Sequence, residues 1–399
     1  MCALAFVAAA AVPVGQTQML NVTVSLSAIL VLSLLVLLKA GISRQSVLLH
    51  YAVLYVAGLT WLILTTAISG DWTFARIIIP FMVAIGAFLL AASNLAYQPK
   101  AVEYLIFGLI ASGLFVAYLI FQILGLSYFD LTNPFGSLHF SGFMEDWILG
   151  NRNWVGRVFL SAGFGAFIGI VFFPGLVQKI SIGFFCFFFI MVLFTFSSRS
   201  IFAYSMLAFA VYWAIIVPKL RGRTAPLILY GALILGGIAA FLVLSVFDRQ
   251  FDTLLFKLSN LFGLNIQRET QAAVGGSGRG VLMVSGIALI AEKPIFGWGL
   301  ENSRHILGTF THIDIIELAI SGGILAIMPF YVGHWILLMA SLKLARSSPG
   351  LRLTVFVAFA SIMSLGVAGD LYKSIQVYVC FLALYLALLH KRKYAFRPT

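Results

Sequence analysis

The sequence predicts an all-α polytopic integral membrane protein, and three observations predict it. Of its 399 residues 62% are hydrophobic and only 10% charged, against about 25% charged in an ordinary soluble domain, which excludes a soluble globular protein. Predominantly apolar runs near the ~20 residues that span a bilayer core recur along the chain. Lys and Arg gather in alternate loops, the pattern that orients membrane helices.

About twelve runs qualify as transmembrane helices. The first, 2–15, is apolar from MCALAFVAAAAVPVG onward with no Lys or Arg ahead of it, so it reads as a membrane helix rather than a cleaved signal peptide. Runs 20–38 and 47–68 flank a loop with Lys39 and Arg44, and 74–95 and 102–126 flank Lys100. Runs 153–173 and 179–197 flank Lys179, and 201–217 and 226–246 flank Lys219, Arg221 and Arg223. The longest polar segment, 247–311, follows, and within it 285–300 reads as a partly inserted helix. Runs 312–341 and 352–371 flank Lys343, Arg346 and Arg352, and 374–389 precedes the HKRK tail.

Positive residues favour the cytoplasm, so both termini are expected there. Segments 127–152, 198–200 and the large loop 247–311 then face the periplasm, and every acid but Glu103 falls in an outer loop or turn or at the outer end of a helix. Acids scarcely affect topology, so this asymmetry is independent of the orientation; it reads either as solvation of the outer loops or as an organised site. No internal repeat or low-complexity tail appears, so residues 1–399 read as a single membrane domain, with 247–311 contributing to the site. Cys2, Cys186 and Cys380 are too dispersed for a disulfide framework or a CxxC metal site. The net charge of +12 sits on orienting loops rather than a soluble basic face, so no nucleic-acid role is supported.

Four constellations carry possible chemistry. In the turn FSSRS, Arg199 is either a snorkelling anchor or an anion ligand. In GGSGRGVLMVSGIALIAEKPIFGWGLEN, Arg279 follows a glycine run and precedes Trp298; glycines admit close approach of a ligand and a helix start favours phosphate, while the alternative is a plain interfacial helix. No Walker A loop is present. In THIDIIELAISGGILA, His312, Asp314 and Glu317 open a long helix, the two acids three apart on one face and suited either to orienting the His or to the helix dipole. Asp370 and Lys373 in GVAGDLYKS, and Arg152 and Arg157 in GFMEDWILGNRNWVGR, are ionisable groups at the membrane edge that read as substrate ligands or as local anchors.

Together these give arginines, one candidate base, acids and tryptophans on one side of the membrane. Two arginines match the charge of a lipid diphosphate, and a neutral His can take a proton from a hydroxyl, which suffices for glycosyl transfer from a polyprenyl-diphosphate sugar. Guanidinium charge on the leaving group can replace a divalent metal, and there is no DxD motif. No cofactor or metal is expected.

Arg199 in its SSR turn, then GR…KPIFGWG, then HIDIIELAISGGILA resemble in order the O-antigen ligase and polymerase family of bacterial envelope enzymes, over roughly residues 140–345. The resemblance implies about a dozen membrane helices with a large periplasmic loop in the bacterial inner membrane. It implies an undecaprenyl-diphosphate-linked oligosaccharide donor, and either a growing glycan or the lipid A core of lipopolysaccharide as acceptor. Arg199 and Arg279 take the diphosphate and His312 is the base; Arg152, Arg157, Trp298, Asp314, Glu317, Asp370 and Lys373 are the expected substrate-binding residues. Gly323 keeps the ligase pattern, whereas Ile313, Ala326, Ala203 and Met283 depart from it. NRNWVGR and HxDxxE are similar to segments of polymerase-like members. The expected activity is therefore that of an inverting, metal-independent O-antigen polymerase, with the ligase as the alternative. A chain-length regulator and membrane lipid are candidate partners.

Two other readings are weaker. A secondary transporter of a small anion would place its substrate near the bilayer midplane, but the spans are nearly free of mid-helix charge. A peptidoglycan polymerase of the shape and division type would show motifs that are absent here. The Phe-rich run IGFFCFFFIMVLF reads as a prenyl groove or as packing surface.

Overall fold

The computed structural model describes residues 1–10, 19–42, 46–73, 75–98, 100–124, 152–195, 197–215, 279–309, 311, 313–346, 348–368 and 371–394. Among them the regular structure is helical throughout, with no strand. The helices are α1 (Cys2–Ala10), α2 (Met19–Ala40), α3 (Ser46–Ser69), α4 (Ala75–Ala92), α5 (Ala101–Leu124), α6 (Arg152–Phe172), α7 (Leu176–Phe194) and α8 (Ser198–Ile215), then α9 (Arg279–Glu292), α10 (Ser303–Leu307), α11 (Asp314–Leu344), α12 (Pro349–Met363) and α13 (Ile375–Tyr394). Short 3-10 turns extend α4 over Ser93–Tyr97 and α12 over Ser364–Ala368. Two compact units form, one of Met1–Ala214 with Leu282–Thr399 and one of Ile215–Val281, and the second falls almost wholly outside the described residues.

Seven helices among the described residues are long and apolar enough to cross a membrane: α3, α4, α5, α6, α7, α11 and α12, while α2, α8, α9 and α13 carry shorter apolar stretches. Hydrocarbon offers the backbone no hydrogen-bonding partner, so helices that satisfy every N–H and C=O internally are what such sequences must form. The expected span 226–246 lies outside the described residues. The helix expected at 285–300 is instead Arg279–Glu292. It stops there because Pro294 and the left-handed Gly297 turn the chain out of helix.

Lipid tails are as apolar as leucine, so helices associate through close packing at small residues. α3 and α11 run antiparallel, with Gly58 against the ring of Phe330 and Gly333 against Tyr51. Gly108 of α5 receives Phe6 and Ala9 of α1, and Gly113 receives Phe188 of α7. In the Phe-rich helix α7, Phe185 and Phe188 turn inward while Ile182 and Ile190 face outward, and Phe188 stacks on Phe159 at 6.1 Å between centroids. Those inward positions are thus packing surface.

The helix directions decide where the polar groups meet. Gly156 lies against Ser197 and Ser200, and Gly163 against Tyr204, so α6 and α8 run parallel and begin together. Ser161 contacts Cys380 and Phe172 contacts Lys391, so α6 and α13 are also parallel and in step. The turn before α13 closes on Asp314, the first residue of α11. Helices α6, α8, α11 and α13 therefore all begin at one end of the bundle, which brings four partly positive helix termini to the same level.

The α6–α8 contact is tight enough to test. A Cβ at residue 163 would run into the hydroxyl and ring of Tyr204, whose hydroxyl donates to the Phe185 carbonyl at 2.8 Å. Gly163→Val is expected to lower stability by about 1–3 kcal/mol through overpacking, seen as a lower unfolding temperature in detergent; an unchanged midpoint would contradict this packing.

Candidate functional site

The site is organised around a break in α11. Gly322 (φ −139°, ψ 20°) and Gly323 (φ 68°, ψ −173°) leave the helical region, and the second lies where only glycine is unstrained. Breaking a helix inside a membrane frees backbone groups that must find partners, and here they do. The Ile320 carbonyl accepts from Trp298 N at 2.7 Å, and that of Ser321 from Gly299 N at 2.9 Å. The Gly322 carbonyl accepts from the Trp61 indole at 2.7 Å, and Ile324 N donates to the Pro294 carbonyl at 2.8 Å. The loop 294–299, a turn followed by irregular chain, thus lies along the break as a strap. Gly297 is left-handed (φ 65°), and a side chain there would collide with the backbone of Ile320, Gly322 and Gly323.

Three fully or nearly fully buried carboxylates hold the rest of this end. Glu301 is 0% exposed and is the one non-glycine residue with positive φ among the described residues, at 62°. Its carboxylate pairs with Arg304 at 2.7 Å and with Lys373, and accepts from the Tyr372 hydroxyl at 3.0 Å. Burial alone would raise the pKa of Glu301, but the charges of Lys373 and Arg304 with the added donors outweigh it and hold the group below its ordinary 4.5. Asp314 accepts from the backbone N–H groups of Leu371 and Tyr372 and from the Tyr331 hydroxyl at 2.9 Å. Glu317, also 0% exposed, accepts from the Ser303 hydroxyl and from both the N–H and the hydroxyl of Thr311 at 3.1 Å.

The strap is fastened from α3 as well. Thr66 accepts from Leu300 N at 2.9 Å, and the Asn302 amide reaches the Trp298 carbonyl at 2.6 Å and Ser69 at 3.4 Å. Trp298 is half-buried, donates its indole N–H to the Leu289 carbonyl at 2.9 Å, and carries the Lys293 ammonium 3.8 Å from its ring centroid. Its other neighbours are the apolar cluster of Leu289, Ile316 and Ile320.

The expected site residues distribute as follows. Trp298, Asp314, Glu317 and Lys373 come together around the strap, with the two acids turned to different partners rather than to a shared one. Arg157, half-buried, follows the Gly156 that packs on Ser200. Arg152 opens α6, Arg199 is the second residue of α8 and Arg279 the first of α9; the placement of their side chains, and His312 and Asp370 altogether, lie outside the described residues. Asp314 and Glu317 meet protein donors, so the geometry gives them work in holding the chain. Sequence reading passed over Glu301, Arg304, Ser303 and Thr311. The available signal was an acid, Glu301, set directly after the apolar, glycine-rich stretch IFGWGL. Among the described residues no group of three His, Cys, Asp or Glu side chains is arranged to hold a metal ion.

Residues 184–331 match the family model Wzy_C, O-antigen ligase. Over that stretch the chain is similar to an O-antigen ligase domain. The domain takes in most of α7, all of α8, α9 and α10, and α11 as far as Tyr331. It therefore contains Arg199, Arg279, the strap, Glu301, His312, Asp314 and Glu317, whereas Arg152, Arg157, Asp370 and Lys373 lie beyond it. A comparison with curated proteins found no match. The O-antigen ligase family comprises membrane enzymes of the glycosyltransferase kind, in accord with the apolar helices of this chain.

The Glu301 clamp makes a pH prediction for the domain. Its folded pKa is depressed, so between that value and 4.5 the unfolded chain holds more protons and stability rises with pH. Its contribution is complete above 4.5 and is lost as pH falls through the lower, folded value. Glu301→Gln is expected to remove that acid dependence and to cost about 1–3 kcal/mol at neutral pH, measured by unfolding across a pH series. An unaltered acid limb would show that the clamp does not support the fold.

Proposed function

We propose that this protein is a periplasmic-face glycosyltransferase of the bacterial inner membrane. It moves a glycan from undecaprenyl diphosphate to an acceptor hydroxyl, most economically as an O-antigen or surface-polysaccharide polymerase. The observation that carries the reading is the family match over 184–331, which encloses Arg199, Arg279 and His312. Support comes from the common end at which α6, α8, α11 and α13 begin, since partly positive helix starts beside arginines suit a polyanionic headgroup. The +12 net charge divides in the same way, into loop positives that orient the spans and arginines grouped with the acids.

In this mechanism Arg199 and Arg279 pair with the diphosphate oxygens, aided by Arg152 and Arg157 at the start of α6. His312 takes the proton of the acceptor hydroxyl as its oxygen attacks the anomeric carbon. The bond from that carbon to the diphosphate oxygen breaks, the electron pair leaves with the diphosphate, and attack from the opposite face inverts the anomeric centre. Guanidinium charge meets the negative charge where it accumulates, so no metal is required for that step.

A ligase reading, in which the finished glycan passes to the lipid A core, is favoured by the description of the matched family as O-antigen ligase. The polymerase reading is favoured by the departures at Ile313 and Ala326. Lipid-linked glycans from a deletion strain separate the two: single repeat units accumulate if polymerisation is lost, and complete polymer with bare core if ligation is lost. In purified protein, His312→Ala is expected to cut transfer about 10²–10⁴-fold, the usual contribution of a general base, and Arg279→Ala to weaken donor use. Wild-type rates in either variant would remove that residue from the site.

A further inference from the structure

Glu317 was expected among the substrate ligands, but it is fully buried, and its described bonds point elsewhere. Its carboxylate accepts the N–H and the hydroxyl of Thr311, both at 3.1 Å. Its own N–H donates to the Ile313 carbonyl at 2.9 Å, and the Thr311 hydroxyl also lies 3.4 Å from that carbonyl. The carboxylate therefore ties down the residue immediately before position 312, while the bond to Ile313 is the first helical bond of α11. The same carboxylate accepts from Ser303 of α10, so it also joins the strap region to this short link.

The surroundings make the tie stiff. Gly286 of α9 is covered by Thr311, Ile316 and Ile320, and Ile316 and Ile320 pack with Leu289 on the side of Trp298. Glu317 sits in the first turn of α11, where a carboxylate is favoured by the helix start, and its acceptors are directed at the incoming chain. A buried carboxylate that accepts several donors is held in one geometry, and removing it leaves those donors unpaired.

We infer that Glu317 is a positioning residue for His312: its carboxylate fixes Thr311, and through it the place from which the base meets the acceptor hydroxyl. The inference rests on the proposed role of His312. It gives the buried acid a part in catalysis without contact with either substrate, and it makes Thr311 the residue through which that part is played. Geometric precision of this kind matters because a misplacement of about 1 Å can cost on the order of 10²-fold in rate.

The test uses the full-length protein in lipid nanodiscs, with undecaprenyl-diphosphate-linked glycan extracted from the deletion strain as donor. Thr311→Val removes the hydroxyl and keeps the backbone tie, Thr311→Ser keeps both, and Ser303→Ala removes only the link to α10. Thr311→Val and Glu317→Gln are expected to lower kcat about 10–100-fold with KM for the donor within about twofold. Thr311→Ser is expected to restore kcat, and Ser303→Ala to stay near wild type. If Ser303→Ala loses as much kcat as Thr311→Val, Glu317 only tethers α10 and the inference is overturned. It is overturned equally if Thr311→Val turns over at the wild-type rate. His312→Ala separates this failure from that of the underlying reading: an inactive His312→Ala beside a fully active Thr311→Val removes the positioning role alone, whereas a fully active His312→Ala removes the base itself.

Discussion

The candidate site depends on the pairing of backbone with backbone where α11 breaks. A helix in hydrocarbon cannot leave its N–H and C=O groups open, and the loop 294–299 supplies partners for Ile320, Ser321 and Ile324 while Trp61 caps Gly322. Neither piece is stable as placed without the other: the strap has no regular structure of its own, and the break would expose carbonyls. The strap then leads straight into Glu301, Ser303 and the link to α11. The position of Thr311 on that link is set by the same region, through Glu317.

The three acids extend this constraint across the bundle. Glu301 joins the strap to Lys373 and Tyr372 ahead of α13, Asp314 joins the start of α11 to the same turn, and Glu317 joins α10 and Thr311 to α11. Each connects segments that approach only in the folded chain, and each is buried. Buried charge is costly unless fully paired, which accounts for the density of donors around each one. The result is a rigid end to which α6 and α8 add their own starts, through Gly156 and Ser200. That close pairing suits the proposed transfer, whose groups must be held still while a lipid-linked donor is bound.

Much of the fold was legible in the sequence because a bilayer imposes one demand on every span. α3, α5, α6 and α7 are continuous apolar runs, and their residues could hardly have done otherwise. The break in α11 was not legible. SGG inside an apolar run is tolerated by an unbroken helix, and Gly323 counted only as one position of a family pattern; what decides it is a strap two dozen residues earlier. The strap itself was taken for helix, since its residues are apolar and its Pro and glycines mark a stop without saying what the freed chain will meet. Asp314 and Glu317 were read as orienting the His or suiting the helix start, but their partners lie at Leu371 and Tyr372 and at Ser303 and Thr311. Glu301 was missed for the same reason: its meaning comes from Lys373, far along the chain.

The central claim is that the strap and the broken helix form one unit on which the site's geometry rests. Hydrogen–deuterium exchange of Gly323→Ala in nanodiscs tests it most directly, since a side chain there would run into the Ile295 carbonyl and sit at a φ that alanine resists. The account predicts faster exchange in 294–302 and in the start of α11, with α6 unchanged and glycan transfer lost. Exchange and transfer both equal to wild type would contradict it.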